Sequence, residues 1–342
     1  MGIDGLLRLC DDTGILQHSI HSVPDRAHGY CVDDNARALM LMNRLPDDVL
    51  RQCGRLLGVF AAFVQHAWNA DKGEFRNFMG FGRNWLEEVG SEDSCGRTLW
   101  ALGATAREGK MPGLRQWAGK LFACTAPSAL DFQSPRAIAF AMLGADYLLG
   151  TDEEQTLALQ ILEQGADRLL TLHAATARPD WQWYESVLAY DNARLPEAML
   201  RAGVRLGRAD LTACGLETLR WINDIQITPR GYFRPVGSGS FGHAYAPPRP
   251  FDQQPVEIWA SIDAASAAYD VTGDAIWLTH ARRAYDWFAG CNDRGVAVAD
   301  PSSGTSRDGI NPRGLNLNEG AESVLAYQHA SYAIWDFIAK VG

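Results

Sequence analysis

Residues 29–45 read GYCVDDNARALMLMNRL. Two adjacent carboxylates, Asp33 and Asp34, stand at the head of a run that is almost wholly apolar from Ala36 onward. A helix without a charged stripe belongs inside a protein, buried on every side. The loop leading into it carries Arg26, His28 and Tyr30. The pattern returns at residues 190–206, YDNARLPEAMLRAGVRL, where the Asp-Asn-Ala-Arg of Asp34–Arg37 is repeated at Asp191–Arg194. Looser versions open at Glu92–Asp93, Ser134–Pro135, Glu257 and Glu319–Glu322.

Between these apolar helices the sequence places amphipathic ones, for instance from Pro46 to about Trp68, where Leu50, Leu57, Phe60 and Val64 fall near helical spacing. Thr151 and Glu154 read as a capping box for another, and Ser134 before Pro135 as an N-cap. The periodicity predicts about twelve helices in about six outer–inner pairs, with Asp11 to His28 a polar loop. Long loops precede the inner helices, and short links follow them, as at Leu45–Asp47 and Gly207–Ala209. That asymmetry gathers the long loops over the inner-helix N-termini. The intervals between inner helices are too unequal for a solenoid of fixed period. The expectation is therefore an all-α toroid, a single domain over residues 1–342.

The net charge is −10, from 41 acidic and 31 basic residues, and no basic run occurs. Nucleic acid and anionic membrane are poor partners for such a chain, and a neutral substrate such as carbohydrate suits it. The start, MGIDGLLRLCDD, lacks the basic and apolar regions of a signal peptide, and no apolar run reaches a membrane span's length, so a cytoplasmic location is expected. Seven cysteines at wide spacings, without C-x-x-C, read as small buried thiols, with no metal site and no cofactor implied.

Paired carboxylates are the main chemical signal. Glycoside cleavage needs one carboxyl to protonate the leaving oxygen and another to attack carbon or activate water. Candidates for that work are Asp33, Asp34, Glu185, Asp191 and Glu257, with Glu92, Asp93, Glu319 and Glu322 as substrate-binding acids. Each is also a plausible helix cap or first-turn acid. Loop aromatics are the second signal: Trp85, Trp181, Trp183, Tyr184 and Phe233, with His243 nearby, suit the apolar faces of sugar rings, or else pack the loops on the core. Arginines are the third. Arg26, Arg37, Arg97, Arg136 and Arg194 lie at inner-helix starts, to pair with those acids or to bind an anionic group.

The openings CVDDNARAL, SEDSCGRTLWALG, SPRAIAFAMLG, YDNARLPEAML, PVEIWASIDAA and NEGAESVLAYQHA together resemble the six-hairpin glycosidase superfamily, the (α/α)6 toroids, over nearly the whole chain. The phrases around GYCVDDNARAL and NEGAES are also similar to a bacterial domain fused to, or encoded beside, glycosyltransferases, which implies association with one. The resemblance implies a substrate cleft over the inner-helix N-termini. The superfamily holds hydrolases, lyases, phosphorylases and epimerases, so fold alone does not choose. Its epimerases use inward-facing histidines, and here His329 is the only histidine on an inner helix. A glycoside hydrolase is expected, with a phosphate-dependent phosphorylase or a non-catalytic glycan-binding module as the alternatives. The catalytic pair is expected to join Asp33 or Asp34 to Glu185, Asp191 or Glu257.

Overall fold

A computed structural model describes residues 1–151 and 155–342. It divides into two compact units, Leu6–Asp167 and Met1–Gly5 with Arg168–Gly342. After α1 (Asp4–Leu9), the first unit opens with a hairpin of β1 (Leu16–Ile20) and β2 (Val23–Cys31). It continues through α2 (Val32–Arg44), α3 (Asp47–Cys53), α4 (Arg55–Ala67), and the short strands β3 (Trp68–Asn69), β4 (Glu74–Phe75) and β5 (Phe78–Met79). Then come α5 (Glu92–Glu108), α6 (Pro112–Thr125) and α7 (Pro135–Leu148).

The apolar runs become the inner helices α2, α5 and α7, buried nearly end to end. Their N-termini are closed by side chains: Ser91 Oγ accepts from Ser94 N at 3.1 Å, and Ser134 Oγ from Ala137 N at 3.4 Å. At α2 the cap is Cys31, whose sulfur accepts from Asp34 N at 3.4 Å. The expected outer helix from Pro46 breaks at Gly54 into α3 and α4, and α4 buries Leu57, Phe60 and Val64 as its spacing requires. The stretch expected as a loop, Asp11 to His28, is instead largely the β1–β2 hairpin, extended by β5 into a three-stranded sheet.

Helices α5 and α7 approach so closely that glycine is obligatory at their contact. A Cβ on Gly103 would overlap the Gly144 carbonyl oxygen, and one on Gly144 would overlap the Leu99 carbonyl. Gly103→Ala therefore lowers unfolding stability by about 1–3 kcal/mol despite alanine's better helix propensity. Urea melts check this; an unchanged midpoint would mean that the helices separate without cost.

Helix α8 (Thr156–Thr176) follows; Glu154, one half of the expected capping box, lies outside the described residues. The second unit continues with α9 (Arg194–Leu206), α10 (Ala209–Ile225), α11 (Pro255–Thr272) and α12 (Ile276–Tyr285). Four short strands, β6 (Ala299–Asp300), β7 (Thr305–Ser306), β8 (Gly309–Asn311) and β9 (Gly314–Asn316), precede α13 (Ala321–Val341). Here α9, α11 and α13 are the inner helices, and Trp259, Trp287 and Tyr327 lie in the core. Gly207 (φ 64°) and Gly273 (φ 66°) end α9 and α11 in the left-handed region, which makes the inner-to-outer links short. The glycine-rich 237–242 stretch is tied down: Gly237 N donates to Arg249 O at 2.9 Å and Gly239 N to Phe251 O at 3.0 Å. Among the described residues no helix is long and apolar enough to cross a membrane.

Candidate functional site

Two acid–arginine clusters sit at inner-helix starts, one in each unit. In the first unit, Asp33 bridges two guanidinium groups. Its Oδ2 lies 2.7 Å from Arg37 Nη1 and its Oδ1 2.5 Å from Arg97 Nε. Both arginines are buried, whereas the Asp33 side chain keeps 23% of its exposure. Burial alone would raise the Asp33 carboxyl, but Arg37 and then Arg97 outweigh it and hold it below the usual carboxylate range. Asp34 is more enclosed. Its Oδ1 lies 3.0 Å from Arg37 Nη1 and its Oδ2 accepts from the Cys31 thiol at 3.1 Å. Arg97 in turn lies 4.0 Å from the centroid of the Phe140 ring, a cation–π contact across α5 and α7.

The pairing of Asp33 fixes a pH dependence. A depressed folded pKa contributes stability that is present above the unfolded value of about 3.9 and is lost as pH falls through the folded one. Asp33→Asn therefore costs about 1.5–3 kcal/mol at pH 7. The gap from wild type narrows as the solution is acidified below the ordinary carboxylate range. Urea melts of both proteins at neutral and acid pH check this; a gap independent of pH would mean that the loss is steric.

Glu92 and Asp93 serve the next helix in the same unit. Glu92 Oε2 accepts from the backbone N–H groups of Gln133 and Ser134 at 2.8 and 2.7 Å, and Asp93 Oδ1 accepts from Ser134 Oγ at 2.5 Å. These two acids close the entry to α7. Tyr30 is buried, and its hydroxyl donates to Asp11 Oδ2 at 2.5 Å; burial and that bond push it up to about 12. Trp85 packs edge-on against Phe63 and His66 of α4. Arg26 lies over Phe81 at 5.1 Å, and the exposed His28 meets Asp25 at 3.5 Å.

In the second unit the repeated tetrapeptide takes a different shape. Asp191 does not open a helix: its φ is 52°, and α9 begins only at Arg194. The Glu257 carboxylate, at the start of α11, accepts from the backbone N–H groups of Asp191 and Asn192 and from Asn192 Nδ2 at 3.2 Å. It fastens this turn. Arg194, fully buried, is held among three carboxylates: Glu197 Oε2 at 2.6 Å, Asp263 Oδ2 at 2.8 Å and Asp191 Oδ1 at 3.5 Å. Its guanidinium carbon lies 4.4 Å from the Trp259 ring centroid, and Trp259 stacks on His329 at 4.1 Å. Burial works against the charge on Arg194, but Glu197, Asp263 and Asp191 more than compensate, raising its pKa. Burial raises Glu197 in spite of Arg194 and Arg201, with Asp263 adding to the rise.

The loop aromatics of this unit mostly face inward, which corrects their expected role as sugar platforms. Trp183 and Tyr184 are fully buried; the Tyr184 hydroxyl bonds with Thr218 Oγ1 at 2.9 Å, and Trp183 stacks on Trp221. Trp181, 5% exposed, packs on Trp221 and Tyr245 and donates its indole N–H to the Glu185 carbonyl at 2.7 Å. Phe233 is buried as well. Glu185 is half-buried, whereas His243 stays exposed. Glu319 is buried beside Arg307 at 2.9 Å, and Glu322 lies half-buried in the first turn of α13. Sequence reasoning missed Glu197, Asp263 and Trp259. The spacing of three from Arg194 to Glu197 signals one of these contacts, whereas Asp263 and Trp259 arrive from another helix.

Solved structures with this architecture cover almost the whole chain. A sugar epimerase from a ruminal bacterium superposes with a TM-score of 0.70 at 14% identity, covering 98% of this chain and 94% of that one. Cellobiose 2-epimerase from Bacillus thermoamylovorans B4167 gives 0.70 at 10% identity, covering 99% and 96%. The GH76 α-mannanase of Bacteroides thetaiotaomicron gives 0.66 at 14% identity, covering 98% and 95%. No family model matches the chain, and no curated protein matches it in sequence. The fold is the all-α (α/α)6 toroid, as the inner-helix openings led one to expect.

Proposed function

We propose that the chain is a carbohydrate-active enzyme that cleaves glycosidic bonds, with Asp33 as the carboxylate that stays ionised. One observation carries the reading: at the head of an inner helix, Asp33 is partly exposed while two buried guanidinium groups keep it charged. Each of its oxygens spends one lone-pair direction on an arginine and keeps another for substrate or water. A carboxylate so held suits the nucleophile or base of glycoside cleavage, and is a poor proton donor at neutral pH. The fold shared with an α-mannanase and with sugar epimerases supports carbohydrate as the substrate class.

Burial reweights the other candidates. Asp191 and Glu257 are nearly inaccessible, and Glu257 is engaged with three N–H groups, so their part in our reading is to shape the turn before α9. Among the acids expected to be catalytic, Glu185 is half-buried rather than enclosed. An epimerase reading would rest on His329. That ring is 1% exposed and lies flat against Trp259, so it is poorly placed to exchange protons with a sugar.

The reading is tested by incubating the protein with a panel of oligosaccharides and following reducing ends, with and without inorganic phosphate, in deuterium oxide. Hydrolysis gives new reducing ends without phosphate. Turnover only with phosphate identifies a phosphorylase, deuterium entering an intact sugar identifies an epimerase, and binding without turnover identifies a glycan-binding module; any of the three overturns the hydrolase reading.

A further inference from the structure

On the second unit an open pocket of about 710 Å³ lies against the outer helix α12, and the hydrolase reading leaves it unused. Arg282, Arg283 and Asp286 come from the end of α12 and the residue beyond it, Arg230 and Tyr232 from the loop after α10, and Cys291 from the loop after α12. Three arginines and one aspartate therefore line one cavity. Two other arginines of this unit, by contrast, are matched: Arg208 lies 2.6 Å from Asp210, and Arg234 meets Asp293. Among the described residues, Arg230, Arg282 and Arg283 have no carboxylate within ion-pairing distance. In a chain with a net charge of −10, such a concentration of unmatched positive charge is unusual. The pocket wall is also held in place. Tyr232 donates its hydroxyl to Asp293 at 2.8 Å, and Asp293 also accepts from Gln253 Nε2 at 2.6 Å.

We infer that this pocket binds a phosphate group, free or carried by a small sugar. Arginine forks match the tetrahedral oxygens of phosphate, and a phosphomonoester brings a charge of roughly −1.5 to −2 at neutral pH, close to the surplus that three arginines and one aspartate leave. The volume falls in the range of small-molecule sites, roughly 300–1,000 Å³, with room for a sugar beside the phosphate. The inference is independent of Asp33 and its role.

Cys291 supplies the readout, because it is exposed and lines the pocket, whereas Cys124, also exposed, lies in the other unit. The two thiols are alkylated with iodoacetamide in potassium chloride, inorganic phosphate or glucose 6-phosphate at matched ionic strength. Saturating phosphate or glucose 6-phosphate slows Cys291 by about fivefold or more and leaves Cys124 unchanged. Greater protection by the sugar phosphate assigns the site to a phosphorylated sugar, and equal protection assigns it to phosphate itself. The double variant Arg282→Gln/Arg283→Gln weakens the protecting anion by about tenfold or more. Arg230→Gln, on an exposed loop, is the second variant should the first fail to fold, and weakens it in the same direction. No protection by either anion, protection equal to that in chloride, or protection unaltered in the folded variants overturns the inference.

Discussion

Replacing Arg194 with methionine destabilises the protein by about 3–5 kcal/mol, among the largest losses that a single side chain in this chain can give. The guanidinium is fully buried and is the cation that Glu197, Asp263 and Asp191 share at 2.6, 2.8 and 3.5 Å. Methionine fills much of its volume against Trp259 but leaves three carboxylates crowded around an apolar side chain. Burial already raises Glu197 with the arginine present, and without it the carboxyl takes up a proton more readily still. A carboxyl whose folded pKa is raised contributes stability at low pH and loses it as pH rises through that pKa. The deficit of Arg194→Met is therefore largest in mild alkali and shrinks on acidification. Denaturant melts across neutral and mildly acid pH measure it; a small deficit, or one that grows on acidification, would mean that the arginine does not neutralise this cluster. Arg194→Lys keeps the charge but loses the fork and the flat contact with Trp259, so it restores only part of the loss.

The second large effect is on rate. Asp33→Asn lowers glycoside turnover by about 10²-fold or more, measured where both proteins are fully folded. The same substitution weakens the ties to Arg37 and Arg97, so a fall in rate alone does not separate chemistry from structure. Azide does. In Asp33→Ala, which leaves the space that asparagine fills, a small anion that takes the place of the missing carboxylate restores turnover and has no comparable effect on wild type. A helix start merely loosened by the substitution has no such rescue. Persistence of near-full activity in Asp33→Asn would remove the residue from the chemistry.

Much of the architecture was legible because the inner helices declare themselves. A run such as ALMLMNRL after Asp33–Asp34 cannot sit on a surface, and the recurrence of such runs sets the fold class. Boundaries were legible where a cap marks them, as at Ser91 and Ser134. The hairpin before α2 was not. Its strands, LQHSI and VPDRAHGYC, are exposed over much of their length, so no alternation of apolar and polar residues marks them. Its turn begins at His21, with φ at 55°, where a hairpin usually signals itself with glycine or asparagine. The two Asp-Asn-Ala-Arg copies looked equivalent because the left-handed backbone at Asp191 leaves no trace in composition. In the first copy Arg37 is inside the helix, and in the second Arg194 begins it.

The candidate site was legible in its residue types and less so in their directions. Arginines pair with the acids as expected at Asp33 and Asp34, and Arg194 meets Asp191 in the turn before α9. Loop aromatics such as Trp183 and Tyr184 read equally well as platforms or as core, and only packing against α10 distinguishes the two. Cysteines behaved similarly: Cys31, Cys53, Cys95 and Cys214 are buried as expected, whereas Cys124 and Cys291 face solvent on or beside outer helices.

The central claim is that an ionised carboxylate at the head of α2 cleaves glycosides. Its most direct test is the rate of reducing-end release from the oligosaccharide that wild type turns over fastest, measured for wild type, Asp33→Asn and Asp33→Ala, each with and without azide. The account predicts turnover by wild type, a loss of about 10²-fold or more in both variants, and recovery of the alanine variant with azide. Glycan binding without turnover in wild type, or an Asp33→Asn protein as fast as wild type, would contradict it.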